Sequence, residues 1–408
     1  MLWYPRLTMT QPISPRGTLT LSELRGISRL VIRGVVGVTD VVEDMYRNIA
    51  RVSPPVGTAP TGRTRGITGL VYRSIRGITH GVGFGLDKTL AGLTPLLGDD
   101  APPRRREAEL AALNGVLGDY LAASKNPLAI PMHLRQHGRP LALERPALAS
   151  QLTHSRSKLV VLVHGLCMHD LQWQREGHDH GASLDRDLGY TPVYLHYNSG
   201  RRIATNGREF AVVLERLVRE WPARLSELVI VGHSMGGLVA RSAYRHGARA
   251  GHSWPHRLSK LICLGTPHHG APLERAGTWV DFALGISPYT APLARVGKIR
   301  SAGIKDLHRG DVHGDASGEE RRRFLEDVQC YAIAATREPQ RPSSSDSDPR
   351  LPGDGWVPVD SALGRHPNAT LELPIPTSQQ SICFGLNHFD LLSSSEVYER
   401  IHSWLAES

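Results

Sequence analysis

The sequence predicts an α/β fold, a mostly parallel central sheet covered by helices, and three features carry that expectation. From Lys158 onward, apolar runs of strand length alternate with segments of helical periodicity, the arrangement of parallel strands joined by crossover helices. One run, Leu228–Val231, passes through Gly232-His233-Ser234-Met235-Gly236 into a helical segment, so strand, sharp turn and helix follow in succession. The 408 residues exceed the roughly 250–300 at which single cores stop growing, so a further region is expected beside the main core. The chain is accordingly divided into a basic helical extension over 1–105 and a main domain over 106–408.

Taken in order, residues 21–47 space Leu24, Ile27, Val31, Val35, Val38, Val42 and Met45 by threes and fours, one face of an amphipathic helix. The pattern recurs forty residues on, with Arg25-Gly26-Ile27 matching Arg65-Gly66-Ile67 and Leu30-Val31 matching Leu70-Val71. The helix is therefore read as duplicated across a Pro/Gly/Thr-rich linker. Residues 105–123 form a further helix, and Leu128–Leu134 and Pro140–Leu143 flank Gly138 as the strands of a hairpin would. The alternating part predicts strands at Leu159–Val163, Pro192–Tyr197, Leu228–Val231, Leu258–Leu264, Gln329–Ala334 and Ser381–Phe384. Helices are expected over 205–220, over 236–248 and near Glu396–Leu405. About 65 residues separate Leu264 from Gln329, beyond an ordinary connection, so a cap insertion is expected over about 265–328.

The formal charge is +9, and residues 1–150, with 19 Lys and Arg against 11 Asp and Glu, carry +8 of it. Basic, glycine-laced amphipathic helices either pack on protein or lie on an anionic lipid surface, which makes residues 21–90 the candidate peripheral membrane contact. No nucleic-acid recognition motif or interleaved aromatic array accompanies the charge, so nucleic acid is not expected as a partner. The first residues lack a charged stretch followed by an apolar one, and no run approaches about 18 apolar residues. The expected location is cytoplasmic, peripheral at the membrane at most. Cys167, Cys263, Cys330 and Cys383 are far apart, without zinc or disulfide spacing, and read as free buried thiols of a reducing compartment.

The chemistry centres on Ser234. A Gly-x-Ser-x-Gly between strand and helix forces a strained turn in which neighbouring side chains would collide, and lifts the serine hydroxyl above the sheet. A serine is a weak nucleophile until a base takes its proton and a carboxylate orients that base. On this arrangement the chain order is serine, acid, histidine. Asp354, between Gly353 and Gly355 after the Gln329–Ala334 run, is the acid candidate, with Asp360 as the alternate. His388, after the last strand-like run, is the base candidate, with His366 next among the 20 histidines. Oxyanion donors are expected from the Met235 N–H, directly after the serine, and from the Leu166 N–H in His164-Gly165-Leu166 after the first parallel strand. Neither His178-Asp179-His180 nor His268-His269 makes a complete metal ligand set. No cofactor is expected, and His268 and His269 are assigned to the rim of the site.

The ordered set His164-Gly165-Leu166, Gly232-His233-Ser234-Met235-Gly236-Gly237, Leu264-Gly265-Thr266-Pro267-His268-His269-Gly270, Gly353-Asp354-Gly355-Trp356-Val357-Pro358 and Asn387-His388 resembles bacterial triacylglycerol lipases and lipase-like esterases related to GPI inositol-deacylases. The resemblance covers about residues 155–406. It implies an α/β-hydrolase fold, a triad of Ser234, Asp354 and His388, oxyanion donors at Leu166 and Met235, and a small-molecule acyl ester or lipid as substrate. The absence of an evident secretion signal and disulfide pair separates the chain from secreted lipases and favours an intracellular ester. An acyltransferase or thioesterase using the same residues, or a non-enzymatic membrane-associated scaffold on the same frame, are the competing readings.

Overall fold

In a computed structural model of the chain, residues 104–271, 301–310, 328–339 and 351–407 are described. The duplicated helix of residues 21–90 and most of the 265–328 insertion lie outside the described residues. The described residues belong to a unit that begins at Arg104.

Helix α1 (Arg104–Ala123) leads into β1 (His133–Gln136) and β2 (Arg139–Pro140), an antiparallel pair turned by His137 at φ 50° and Gly138 at φ 75°. Two left-handed residues in succession match the twist of the strands they join. The hairpin is shorter than its sequence suggests. The Leu128 and Ile130 N–H groups are taken by the side chains of Asn126 and Asn114, which keeps that apolar run out of the ladder. After α2 (Arg145–Gln151) come β3 (Lys158–Val163), α3 (His180–Leu188), β4 (Tyr190–His196), α4 (Ile203–Arg219), β5 (Glu227–His233), α5 (Met235–Arg249) and β6 (Leu258–Leu264). Then follow α6 (Ala302–Arg309), β7 (Gln329–Thr336), α7 (Val359–Ala362), β8 (Gln380–Phe384) and α8 (Ser395–Ala406).

The strands form one eight-stranded sheet in the order β2-β1-β4-β3-β5-β6-β7-β8, parallel from β4 to β8, with β1 antiparallel to β4. Strand β3 is buried from Leu159 onward, as a central parallel strand covered on both faces must be. Val160, Leu162, Val229, Val231 and Ile262 pack with Trp173, Leu184, Val397, Ile401 and Trp404 in one apolar cluster. The alternate residues Leu159, Val161 and Ile230 are equally buried. Helices α4 and α5 lie close enough that a Cβ on Gly207 would meet Ser242 Oγ at 2.3 Å.

Within the insertion, α6 is started by Ser301, whose hydroxyl accepts the Ile304 N–H, and ended by Gly310 at φ 62°. A Cβ on Gly310 would lie 2.6 Å from the Gly270 nitrogen, so the chain returns beside the point where it left. All four cysteines are buried and free. Among the described residues no helix is long and apolar enough to cross a membrane.

Candidate active site

Strand β5 ends at His233 and α5 begins at Met235, leaving Ser234 alone in the turn at φ 55° and ψ −123°, a conformation that costs a non-glycine residue about 1–3 kcal/mol. The turn has no room for side chains around it. A Cβ on Gly232 would lie 2.5 Å from the Gly237 nitrogen, and one on Gly236 would lie 2.1 Å from the Val163 carbonyl. The Ser234 N–H donates to the Leu264 carbonyl at 2.8 Å, which ties the turn to β6. The serine is wholly buried, and its hydroxyl makes no hydrogen bond among the described residues.

Asp354 stands between β7 and α7. Its Oδ1 accepts the N–H groups of Trp356 and Val357, each at 2.9 Å, and its Oδ2 lies 2.6 Å from Nδ1 of His388. With both oxygens engaged, the carboxylate has one orientation. Its flanking glycines are steric necessities: a Cβ on Gly353 would fall 1.5 Å from the Val357 carbonyl, and Gly355 takes φ 102° against the Arg337 guanidinium.

His388 follows β8, is buried, and lies parallel to the Trp356 ring with centroids 5.8 Å apart. Gly265, at φ 57°, passes beneath it, where a Cβ would come 3.2 Å from ring atoms of His388. The sequence candidates Asp354 and His388 are thus brought together. The alternates are not: Asp360 sits half-buried in α7, and His366 accepts the Asn368 N–H and packs its ring on His269.

The loop after β3 closes on the serine, since a Cβ on Gly165 would lie 3.0 Å from Ser234 Cβ. Nδ1 of His164 lies 2.9 Å from the Gly165 carbonyl oxygen. A carbonyl only accepts, so Nδ1 carries the proton, and burial, which lowers the His164 pKa to about 3, keeps the ring neutral. In a trans peptide the C=O and the following N–H point opposite ways, so this bond fixes the Leu166 N–H away from the His164 ring. The Tyr197 hydroxyl donates to the His164 carbonyl at 2.8 Å, and Ser199 Oγ accepts the Cys167 N–H at 3.0 Å. Met235, as the first residue of α5, has an N–H with no acceptor inside the helix.

The orienting roles of the His164 ring, of His233, whose Nε2 lies 3.0 Å from the His388 carbonyl oxygen, and of Trp356 were not legible in the sequence. His164 and His233 lie inside motifs that draw attention to their neighbours, and their contacts exist only in the folded chain. His268 corrects an expectation. It is buried, not at a rim, and Nη1 of Arg241 donates to its Nδ1 at 2.9 Å; burial and then Arg241 push its pKa well below the usual value. His178-Asp179-His180 is a structural unit. Asp179 caps α3 through the Gly181 and Ala182 N–H groups and accepts the Tyr194 hydroxyl at 2.7 Å, while His180 bonds the Leu391 carbonyl. Among the described residues no cluster of His, Cys, Asp and Glu is placed to hold a metal ion.

Residues 156–312 match the sequence profile of the PGAP1-like alpha/beta domain family. Among solved structures, the mature form of a Bacillus licheniformis lipase is similar at 18% identity and a TM-score of 0.42, over 62% of this chain and 95% of that one. A thermophilic esterase from Thermogutta terrifontis is similar at 16% identity and 0.36, over 61% and 90%. A lipase-esterase related protein from Clostridium acetobutylicum is similar at 12% identity and 0.35, over 60% and 94%. No curated protein sequence matches the chain. The chain's own sheet, antiparallel at β1 and parallel from β4 to β8, with the serine turn after β5 and the acid and histidine following in that order, is an α/β-hydrolase fold. An α/β-hydrolase frame hosts many chemistries, so the reaction has to be argued from the groups at the site.

Proposed function

We propose that the protein is a serine hydrolase that cleaves carboxylic ester bonds, of lipids or other acyl esters, through an acyl-enzyme on Ser234. The observation that carries this reading is the 2.6 Å contact between His388 and Asp354 in a chain whose loop after β3 abuts an elbow serine. With Nδ1 of His388 donating to Asp354, Nε2 is the basic nitrogen. Ser234 Oγ attacks the ester carbonyl carbon while His388 takes its proton, and the oxygen that gains charge is met by the N–H groups of Leu166 and Met235. Collapse breaks the ester bond, His388 returns the proton to the departing alcohol, and the acyl group stays on Ser234. A water, deprotonated by His388, then releases the acid and restores the serine. No cofactor enters these steps. An ester reaches a serine this buried only after the surrounding groups part.

The test is labelling of the full chain with a fluorophosphonate probe beside Ser234→Ala and His388→Ala, followed by p-nitrophenyl ester hydrolysis across acyl lengths. Labelling and turnover should vanish in Ser234→Ala, and turnover should fall by at least about a thousandfold in His388→Ala. An intact protein that neither labels nor turns over any ester would overturn the reading.

A further inference from the structure

We propose that a buried ionic cluster of Glu107, Arg135, Asp170 and His196 is a positioning device for the loop that carries the oxyanion donor, an inference that rests on the hydrolase reading above. The loop runs from His164 past Leu166 to Asp170, the first residue of a short 3-10 helix (Asp170–Trp173). Asp170 is 3% exposed, and its Oδ1 lies 3.0 Å from His196 Nδ1 and 3.2 Å from Arg135 Nη1. The same Nη1 reaches Glu107 Oε1 at 3.2 Å, and Glu107 Oε2 lies 3.7 Å from His196 Nε2. Helix α1, strand β1, the end of β4 and the loop are thereby joined at one point. Burial opposes ionisation of Asp170, yet the adjacent His196 and Arg135 hold its pKa down at about 2, so it is charged at neutral pH.

None of these four groups enters the acyl-transfer steps, so their burial calls for another explanation. The chain around the end of β4 grips the loop repeatedly: Tyr197 holds the His164 carbonyl, Ser199 holds the Cys167 N–H, and His196 holds Asp170. Helix α1 closes the other side, where a Cβ on Gly115 would lie 2.1 Å from Cys167 Sγ. Cys167 itself is held at φ 59°, a conformation the loop keeps only while its surroundings impose it. A buried ion cluster adds little net stability, because desolvation offsets attraction, but removing one member strands the others in a low dielectric. Arg135 and His196 stand on strands locked into the sheet, so the element that yields is the loop. A small shift of the Leu166 N–H weakens its bond to a developing oxyanion and leaves ground-state ester binding nearly untouched, which places the effect on kcat and not on KM.

The experiment compares the full chain with Asp170→Asn, Arg135→Lys and Ser234→Ala. In Asp170→Asn, kcat for a p-nitrophenyl ester should fall about 10- to 100-fold with KM changed by less than about twofold. Arg135→Lys, which retains the charge beside Asp170, should lose no more than about threefold in kcat. Hydrogen exchange of a peptide covering 164–170 should be at least about tenfold faster in Asp170→Asn, with the sheet peptides unchanged. A folded Asp170→Asn with unaltered exchange in that peptide overturns the inference whether or not any ester is turned over, and so does a loss that lies wholly in KM. If Asp170→Asn does not fold, Glu107→Gln, on the far side of the cluster, is read by the same two measurements. Failure of the hydrolase reading is seen separately, as an intact protein no more active than Ser234→Ala, and the exchange result still decides whether the cluster holds the loop.

Discussion

The His233 ring donates from Nε2 to the backbone carbonyl of His388 at 3.0 Å, so the residue before the elbow serine holds the residue proposed as its base. The two rings lie 4.7 Å apart, and burial, then the neighbouring His388, lowers the His233 pKa well below its usual value. A neutral ring suits this contact, because the carbonyl needs one N–H and no charge. His233→Phe keeps the bulk and withdraws the donor, which for a buried carbonyl costs about 1–3 kcal/mol. The thermal midpoint should fall by about 2–10 °C. Turnover should drop about tenfold or more as the His388 backbone loses its anchor to the residue before Ser234. A lowered midpoint with unchanged kcat would restrict His233 to packing.

Stability should depend on acid through other histidines. Burial is the main cause that lowers His164 to about 3 and His169 and His180 to about 4, from an ordinary 6.5. Below pH 6.5 the unfolded chain binds protons at these rings that the folded chain does not, so folding weakens as the pH falls from about 7 towards 4. Each ring contributes up to about 1.4 kcal/mol per pH unit in that window and nothing above it. The urea midpoint at pH 5 should therefore lie well below that at pH 7, with a shallower dependence in His180→Gln. Equal midpoints at the two pH values would contradict the assignment of these rings as buried and neutral.

The parallel strands were legible because a strand covered on both faces is a continuous apolar run, as Leu159–Val163 and Leu228–Val231 are. Ser234 was legible because its glycines are required locally by backbone crowding. Asp354 and His388 were read from their order after the last two strand-like runs, and the fold brings them together across 34 positions. What could not be read depends on approach between distant segments: the His233 bond spans 155 positions, and the Arg241 contact that buries His268 spans 27. Helix α3 went unread for a different reason. Its nine residues hold too few turns for periodicity to register, and its cap, Asp179, sits between two histidines that suggest metal chemistry.

The cysteines offer a check on the core. Burial raises the Cys167 and Cys383 thiols to about 12 and Cys263 to about 11, so little thiolate is present near pH 8. The folded protein should react with an aromatic disulfide reagent far more slowly than a free thiol, and unfolding in urea should release all four groups. Rapid reaction of one thiol in the native state would point to opening around that residue, Cys167 in the loop after β3 being the informative case.

Two glycine substitutions separate steric demand from backbone conformation. Gly353 has no space for a methyl group, since a Cβ would fall 1.5 Å from the Val357 carbonyl, and the chain can relieve that overlap only by moving Asp354 or the turn whose N–H groups hold it. Gly251 has open space around it, and only its φ of 68° resists a side chain, at a cost of about 1–2 kcal/mol. Gly353→Ala should therefore lose turnover by at least about a hundredfold, because a misplaced carboxylate no longer orients the base. Gly251→Ala should lower the thermal midpoint by about 2–8 °C and leave kcat within about twofold. Steady-state kinetics with a melting curve on both variants decide the matter. If Gly353→Ala keeps full turnover, the loop tolerates displacement, and the tight hold on Asp354 is not what sets the rate.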